Sequence, residues 1–191
     1  YIAALTQTQV NSDTVIQQNA FYEDSVLHVY STGYIWCVKS YDGGLSWEDP
    51  EILNTQIKRD DGKEDALLVS PGQGITTSKG DIIVGAYNTL NGEDASIFYS
   101  TDNGKSWKRS NDVNVSGKSS ENEIVELPDG TLRMFYRSDT AKICYADITR
   151  QVGEDGEVTY TIGEGKQTAV ASNSNCNVSA ILLEDHTLGG K

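Results

Sequence analysis

Between Ser120 and Ser138 the sequence reads SENEIVELPDGTLRMFYRS, and it holds two groups able to act together, the carboxylate of Glu121 and the guanidinium of Arg137. A carboxylate can take up or relay a proton. A guanidinium presents a planar fork that fits another carboxylate bidentately. Side by side they could hold an anionic ligand and move a proton next to it. The same two residues also suit a cross-strand ion pair on a solvated sheet face, which is weakly stabilising and carries no chemistry.

What would bring them together is a hairpin. Two alternating apolar runs, EIVEL and TLRMFYR, flank Pro128-Asp129-Gly130. Pro128 sets the backbone for a type I turn and Gly130 takes the left-handed position after it, which makes a three-residue loop. With Leu127 paired to Thr131, the register places Glu121 directly across from Arg137 on one face of the sheet.

Further punctuation organises the rest of the chain. YIWCVKS leads into Ser40-Tyr41-Asp42-Gly43-Gly44-Leu45-Ser46-Trp47, and sixty residues later SIFYS leads into Ser100-Thr101-Asp102-Asn103-Gly104-Lys105-Ser106-Trp107. The shared pattern is S-x-D-x-G-x-S-W. The Asp can accept backbone N–H bonds across a tight turn, the Gly can take positive φ, the hydroxyls can tie the turn to itself, and the Trp can cover the hairpin as an apolar plug. Asp42 and Asp102 are therefore expected to be turn formers rather than catalysts. Two copies at that separation match a four-stranded propeller blade plus loops. VLHVY at 26–30 and YIWCVKS read as a hairpin, ALLVS, IIVGAYN, KICYADI and VTYTI read as further strands, and no amphipathic helix of ten or more residues is evident. The expected class is all-β. The segment TRQVGEDGEVTYTIGEG supplies no third copy of the turn. Gly72 and Gly74 in SPGQGI open no helix, so they make no nucleotide-binding loop; they are expected to let the backbone pass close to the centre of the fold or to a ligand.

The composition narrows the partners. With 15 Lys+Arg against 28 Asp+Glu the net charge is -13, which disfavours nucleic acid and anionic membrane surfaces. No apolar run is long enough to span a bilayer, and Tyr1-Ile2-Ala3-Ala4-Leu5 lacks the basic start and long apolar centre of a signal peptide. Cys37, Cys144 and Cys176 show no metal or redox spacing, and His28 and His186 are too few for a histidine-based site. The acidic loop KRDDGKED offers Asp60, Asp61, Glu64 and Asp65, but their spacing matches no calcium loop, and a solvated loop is expected.

Taken in order, YIWCVKSYDGGLSW, SPGQGI, GDIIVGAY, SIFYSTDNGKSW, SENEIVELPDGTLRMFYRS and NCNVSAI resemble the bacterial exo-sialidase (neuraminidase) family over roughly residues 26 to 183. The turn motifs alone also occur in other glycosidases and in non-enzymatic propellers; the hairpin is the more specific part. The resemblance implies a six-bladed β-propeller with Asp-box repeats, of which residues 1–191 supply about half as a partial catalytic domain. It implies that Glu121 assists a nucleophilic tyrosine and that Arg137 is one of three arginines clamping the substrate carboxylate. It also places Tyr87 near the N-acetyl or glycerol arm of the sugar, although a tyrosine at a strand end fits the same position. Glu93 and Asp94 stand where some relatives carry a neutral amide. The other two arginines, the acid/base aspartate and the nucleophilic tyrosine have no counterpart in the matched region.

The chemistry behind such a set is specific. Sialic acid carries a carboxylate on its anomeric carbon, so a neutral phenol approaches where a carboxylate nucleophile would meet like charge. A neighbouring glutamate can take the phenol's proton as attack occurs. No metal or organic cofactor is needed. The implied function is an exo-α-sialidase acting on sialylated glycans or glycoproteins, secreted or at a bacterial cell surface, without membrane insertion, and incomplete as the 191 residues alone. Two other readings fit the same sequence: a non-catalytic propeller module binding glycans or proteins, and a glycosidase that uses paired carboxylates.

Overall fold

The computed structural model describes residues 2–6, 34–59, 67–88, 93–140, 142–171 and 177–182. The acidic loop at 60–65, the run 26–30 and Cys176 lie outside them. The described chain is all-β apart from one helical turn, α1 (Asn54–Ile57), and forms three antiparallel sheets.

The first sheet holds β1 (Ile2–Thr6), β2 (Tyr34–Val38) and β3 (Glu51–Ile52), in that order. The strand expected to pair with YIWCVKS lies outside the described residues; in the structure β2 instead has β1 and β3 on its two sides. The second sheet holds β4 (Leu67–Val69), β5 (Ile75–Thr76), β6 (Ile82–Asn88), β7 (Asp94–Ser100) and β8 (Lys108–Arg109). Both β4 and β5 pair with β6, so they are two pieces of one innermost strand interrupted by residues 70–74. Gly74 lies in that interruption, where a Cβ would sit 2.9 Å from the Ile83 carbonyl oxygen. The third sheet runs β9 (Ser119–Glu126), β10 (Leu132–Ser138), β11 (Lys142–Val152) and β12 (Val158–Ile162), with β13 (Lys166–Ala171) also on β11.

Alternation along the strands builds the core. Leu132, Met134 and Tyr136 of β10 pack with Cys144, Ala146 and Ile148 of β11 against Ile83, Ala95, Ile97 and Tyr99 of the second sheet. A second cluster joins Ile35, Cys37, Leu53 and Ile57 to Phe98 and Trp107, which seals the first sheet onto the second.

The strand ends are not equivalent. One end carries tight turns. Asp42 Oδ1 accepts from the N–H groups of Leu45 and Ser46 at 3.0 and 2.9 Å, and Asp102 Oδ1 accepts from those of Lys105 and Ser106 at the same two distances. In each, the second Ser hydroxyl donates to Oδ2 at 2.6 Å. The two tryptophans differ. Trp107 is 5% exposed and meets Phe98 edge-on at 5.4 Å, whereas Trp47 lies beside Gly44 but stays 43% exposed. Trp47 is thus not the plug expected of it, because among the described residues no neighbouring sheet covers it as the first sheet covers Trp107.

Where the third sheet lacks the motif, β11 and β12 meet through Gly153–Glu157. Gly153 N–H donates to the Glu157 carbonyl at 2.8 Å and Gly156 takes φ of 81°. The same three-residue loop joins Thr77 to Asp81 and Leu127 to Thr131, with Gly80 and Gly130 at φ of 86° and 85°.

Candidate functional site

The opposite ends of these strands hold Tyr87, Glu121 and Arg137. Pairing of β9 with β10 follows the expected register from Leu132 with Glu126 to Tyr136 with Asn122, then shifts so that Ser138 meets Ser119. Ser120 and Glu121 therefore face the single residue Arg137 across a β-bulge. The two side chains still meet. Arg137 Nη1 donates to Glu121 Oε2 at 3.0 Å, with both groups half-buried.

Tyr87 enters from β6, paired with Leu68 and Ala95. Its phenol is held above the ordinary value, chiefly by burial, then by the charges of Glu121 and Glu93, with Arg137 acting in the opposite sense. These four groups therefore share one electrostatic neighbourhood. A phenol beside two carboxylates stays protonated and serves as a hydrogen-bond donor. Glu93 also lies 3.6 Å from Lys118 Nζ, and its carbonyl accepts from Ser119 N–H at 2.7 Å, which ties the loop after Tyr87 to the start of β9.

One carboxylate in this region escaped the sequence reading. Glu123 shares a strand face with Glu121, as residues two apart do, and is 9% exposed. Gly72 makes room for it: with φ of 127°, a Cβ there would lie within van der Waals contact distance of both carboxylate oxygens. The Gln73 N–H points at Glu123 Oε1 from 3.4 Å, and Ser179 also bonds to the carboxyl. Burial pushes its pKa up, and those two donors oppose the rise without cancelling it. The signal was present as the alternation E-x-E ahead of the turn. Gly72 thus gives the close approach expected of it, to a side chain of the innermost strand of the third sheet.

Among the described residues, no cluster of three or more His, Cys, Asp or Glu side chains is placed to hold a metal ion. No helix of the described residues is long and apolar enough to cross a membrane. With its own side chains the arrangement offers a guanidinium of the kind that binds anions, at Arg137, and a carboxylate of the kind that exchanges protons, at Glu121.

Comparison with known proteins gives a consistent picture. The family model for a BNR repeat-like domain matches residues 14–188. An anhydrosialidase of Macrobdella decora is 33% identical over 143 residues, 72% of this chain and 18% of its own. A sialidase of Paraclostridium sordellii is 30% identical over 183 residues, 90% of this chain and 44% of its own. Among solved structures, the intramolecular trans-sialidase from Ruminococcus gnavus in complex with oseltamivir carboxylate superposes with a TM-score of 0.56 at 26% identity, covering 72% of this chain and 27% of that one. The chain spans less than half the length of these relatives. The three sheets are blades of a sialidase-like six-bladed β-propeller, about half of which lies in this chain.

Proposed function

The chain belongs to the BNR repeat-like domain family, and from that premise we propose that it is part of the catalytic domain of an exo-α-sialidase, which removes terminal sialic acid from glycoconjugates. The observation that carries the proposal is the Arg137–Glu121 pair at 3.0 Å beside the Tyr87 phenol.

In this reading Arg137 releases Glu121 in favour of the substrate carboxylate, which its fork fits as one member of an arginine clamp. Glu121 accepts the proton of a tyrosine nucleophile supplied outside the matched residues, the freed phenolate attacks the anomeric carbon, and the glycosidic bond breaks as the leaving oxygen takes a proton from the acid/base aspartate, likewise outside the matched residues. Tyr87 donates from the side to the sugar's polar arm. The half-buried setting strengthens each of these interactions over its value in water. Sialylated glycans or glycoproteins are the partners, and a secreted or surface location gives access to them. The paired-carboxylate alternative is less well supported, because the group that meets Glu121 is Arg137 and not a second carboxylate, Glu123 is closed off by Gly72 and Gln73, and Glu93 is drawn toward Lys118.

The test uses the protein with its native flanking sequence: release of a fluorescent leaving group from a sialoside, compared with the Glu121→Gln variant. Turnover that falls by about 10²- to 10⁴-fold in the variant supports the assignment. Sialoside binding without turnover in either form would point to the non-catalytic module. The 191 residues alone are expected to give no turnover, since residues that act as one unit lose activity together rather than in proportion.

A further inference from the structure

We propose that Asn122 is a positioning residue for this site: its side-chain amide pins the backbone beside Tyr87 to the backbone beside Glu121. The proposal rests on the sialidase reading for its kinetic consequence, but on geometry alone for the coupling itself.

Asn122 is 2% exposed on β9. Its Nδ2 donates at 2.9 Å to the carbonyl of Ala86, the residue before Tyr87, and at 3.0 Å to the carbonyl of Ser120, the residue before Glu121. The orientation of the amide is unambiguous, because a flip would aim its oxygen at two carbonyl oxygens. The backbone is tied in as well. Asn122 N–H donates to Ser70 Oγ at 3.1 Å, and Ser70 N–H donates to the Gly85 carbonyl at 2.9 Å. Ser70, Gly85, Ala86, Ser120 and Asn122 thus form one hydrogen-bonded bracket that joins two adjacent sheets directly beneath Tyr87 and Glu121.

Two features separate this bracket from ordinary packing. Among the described residues, Asn122 Oδ1 is buried without a hydrogen-bond partner. An orphaned buried carbonyl is costly, so an apolar residue would serve a purely structural role better, and what the amide contributes is its two donors. The second feature is Gly85. A Cβ there would overlap Asn122 Oδ1 and lie 3.2 Å from the Asn122 carbonyl oxygen, so the amide reaches Ala86 only because residue 85 has no side chain. The bracket also borders the bulge: Ser120, whose carbonyl Nδ2 holds, and Glu121 are the two residues that face Arg137 there.

The experiment compares three variants in the full-length protein. Asn122→Leu keeps size and branching but has no donors; Gly85→Ala keeps the amide but displaces it; Asp102→Ala weakens a turn at the far end of the strands and serves as a stability control. Two readouts are taken well below the lowest Tm: kcat and KM on a fluorogenic sialoside, and hydrogen exchange at the amides of 85–88 and 119–123. The expected result is a fall in kcat of about 10- to 100-fold in both bracket variants with KM changed far less, because misplacing a reacting group acts on the chemical step. Exchange should rise in both segments together, and Asp102→Ala should change neither readout. If the bracket variants keep kcat within about two-fold, or if exchange rises across all sheets alike, the proposal is overturned. If the unaltered protein shows no turnover yet exchange rises only in the two segments, the coupling stands and the sialidase reading falls. Should Asn122→Leu not fold, Gly85→Ala decides alone.

Discussion

Arg137 meets Glu121 across a bulge, not along a regular ladder, so a single guanidinium faces two consecutive backbone positions, and of the two Glu121 is the one its side chain contacts. Side-chain length compensates for the lost register. This makes the two partners unequal under substitution. Arg137→Lys keeps the charge but loses the planar fork, so KM for a sialoside should rise by about 10-fold or more, in line with the worth of a charge-assisted hydrogen bond, with a smaller effect on kcat. Steady-state kinetics at fixed ionic strength checks this. A larger effect on kcat than on KM would place Arg137 in the chemistry and not in binding.

The Asp102 turn should set part of the acid limit of stability. Although burial opposes it, the Ser106 hydroxyl and N–H hold the Asp102 carboxylate at about 2, below its ordinary 3.8. A depressed value means stabilisation that is complete above the unfolded pKa and lost as pH falls through the folded one. Thermal melts of Asp102→Asn should therefore fall below those of the unaltered protein at neutral pH and converge with them between about pH 4 and 2. Parallel curves over that window would show that the turn is held by something other than the carboxylate.

Glu123 should behave in the opposite sense. Burial raises its pKa above the ordinary 4.5, so its share of stability is greatest below that value and is lost as pH rises through the folded pKa. Glu123→Gln removes the buried charge while keeping an acceptor for Gln73 N–H, and should raise Tm at pH 7 by on the order of 2–4 °C, with a flatter profile above the unfolded pKa. A drop in Tm would mean that the charged form is needed to hold the 70–74 segment.

A buried strut joins the turn at Thr77–Asp81 to the third sheet. Asp81 Oδ2 accepts from Tyr160 OH at 2.6 Å and from Arg150 Nε at 2.7 Å, and Asp81 is 4% exposed. Asp81→Ala leaves both donors without their acceptor and should cost about 3 kcal/mol, the low end for a broken buried pair because Arg150 retains contact with water. Tyr160→Phe should cost about 1 kcal/mol. Urea denaturation of the two variants gives both values, and an Asp81→Ala cost no larger than that of Tyr160→Phe would remove Arg150 from the strut.

Much of this architecture was legible in the residues. Pro128-Asp129-Gly130 fixed both turn and register, and the paired S-x-D-x-G-x-S-W motifs announced the repeat. What escaped the reading depends on neighbours in space. The bulge at Ser120–Glu121 lies beside a bond between Asn122 and its own strand and another to β6, and no local pattern announces it. Trp47 and Trp107 occupy identical motifs yet differ in burial, because the sheet that covers Trp107 is contributed by distant sequence. The turn at 153–157 shares the Asp-Gly pair with 127–131, each Asp Oδ1 accepting the N–H two residues on, but the turn at 77–81 shares only the glycine, so the geometry common to all three shows only in φ and backbone hydrogen bonds.

The tight turns occupy one end of the strands and Tyr87, Glu121 and Arg137 the other, and the consequence is evolutionary. On the proposed reading, substitutions that tune recognition fall at one rim, and those that secure the tight turns fall at the opposite rim, with whole strands of packed core between them. A lineage can therefore explore new ligands without drawing down its folding margin, and can drift toward greater or lesser thermal tolerance without altering what it recognises. Asn122 is the exception: it serves both blade packing and the site, and it should be the slowest of these positions to change.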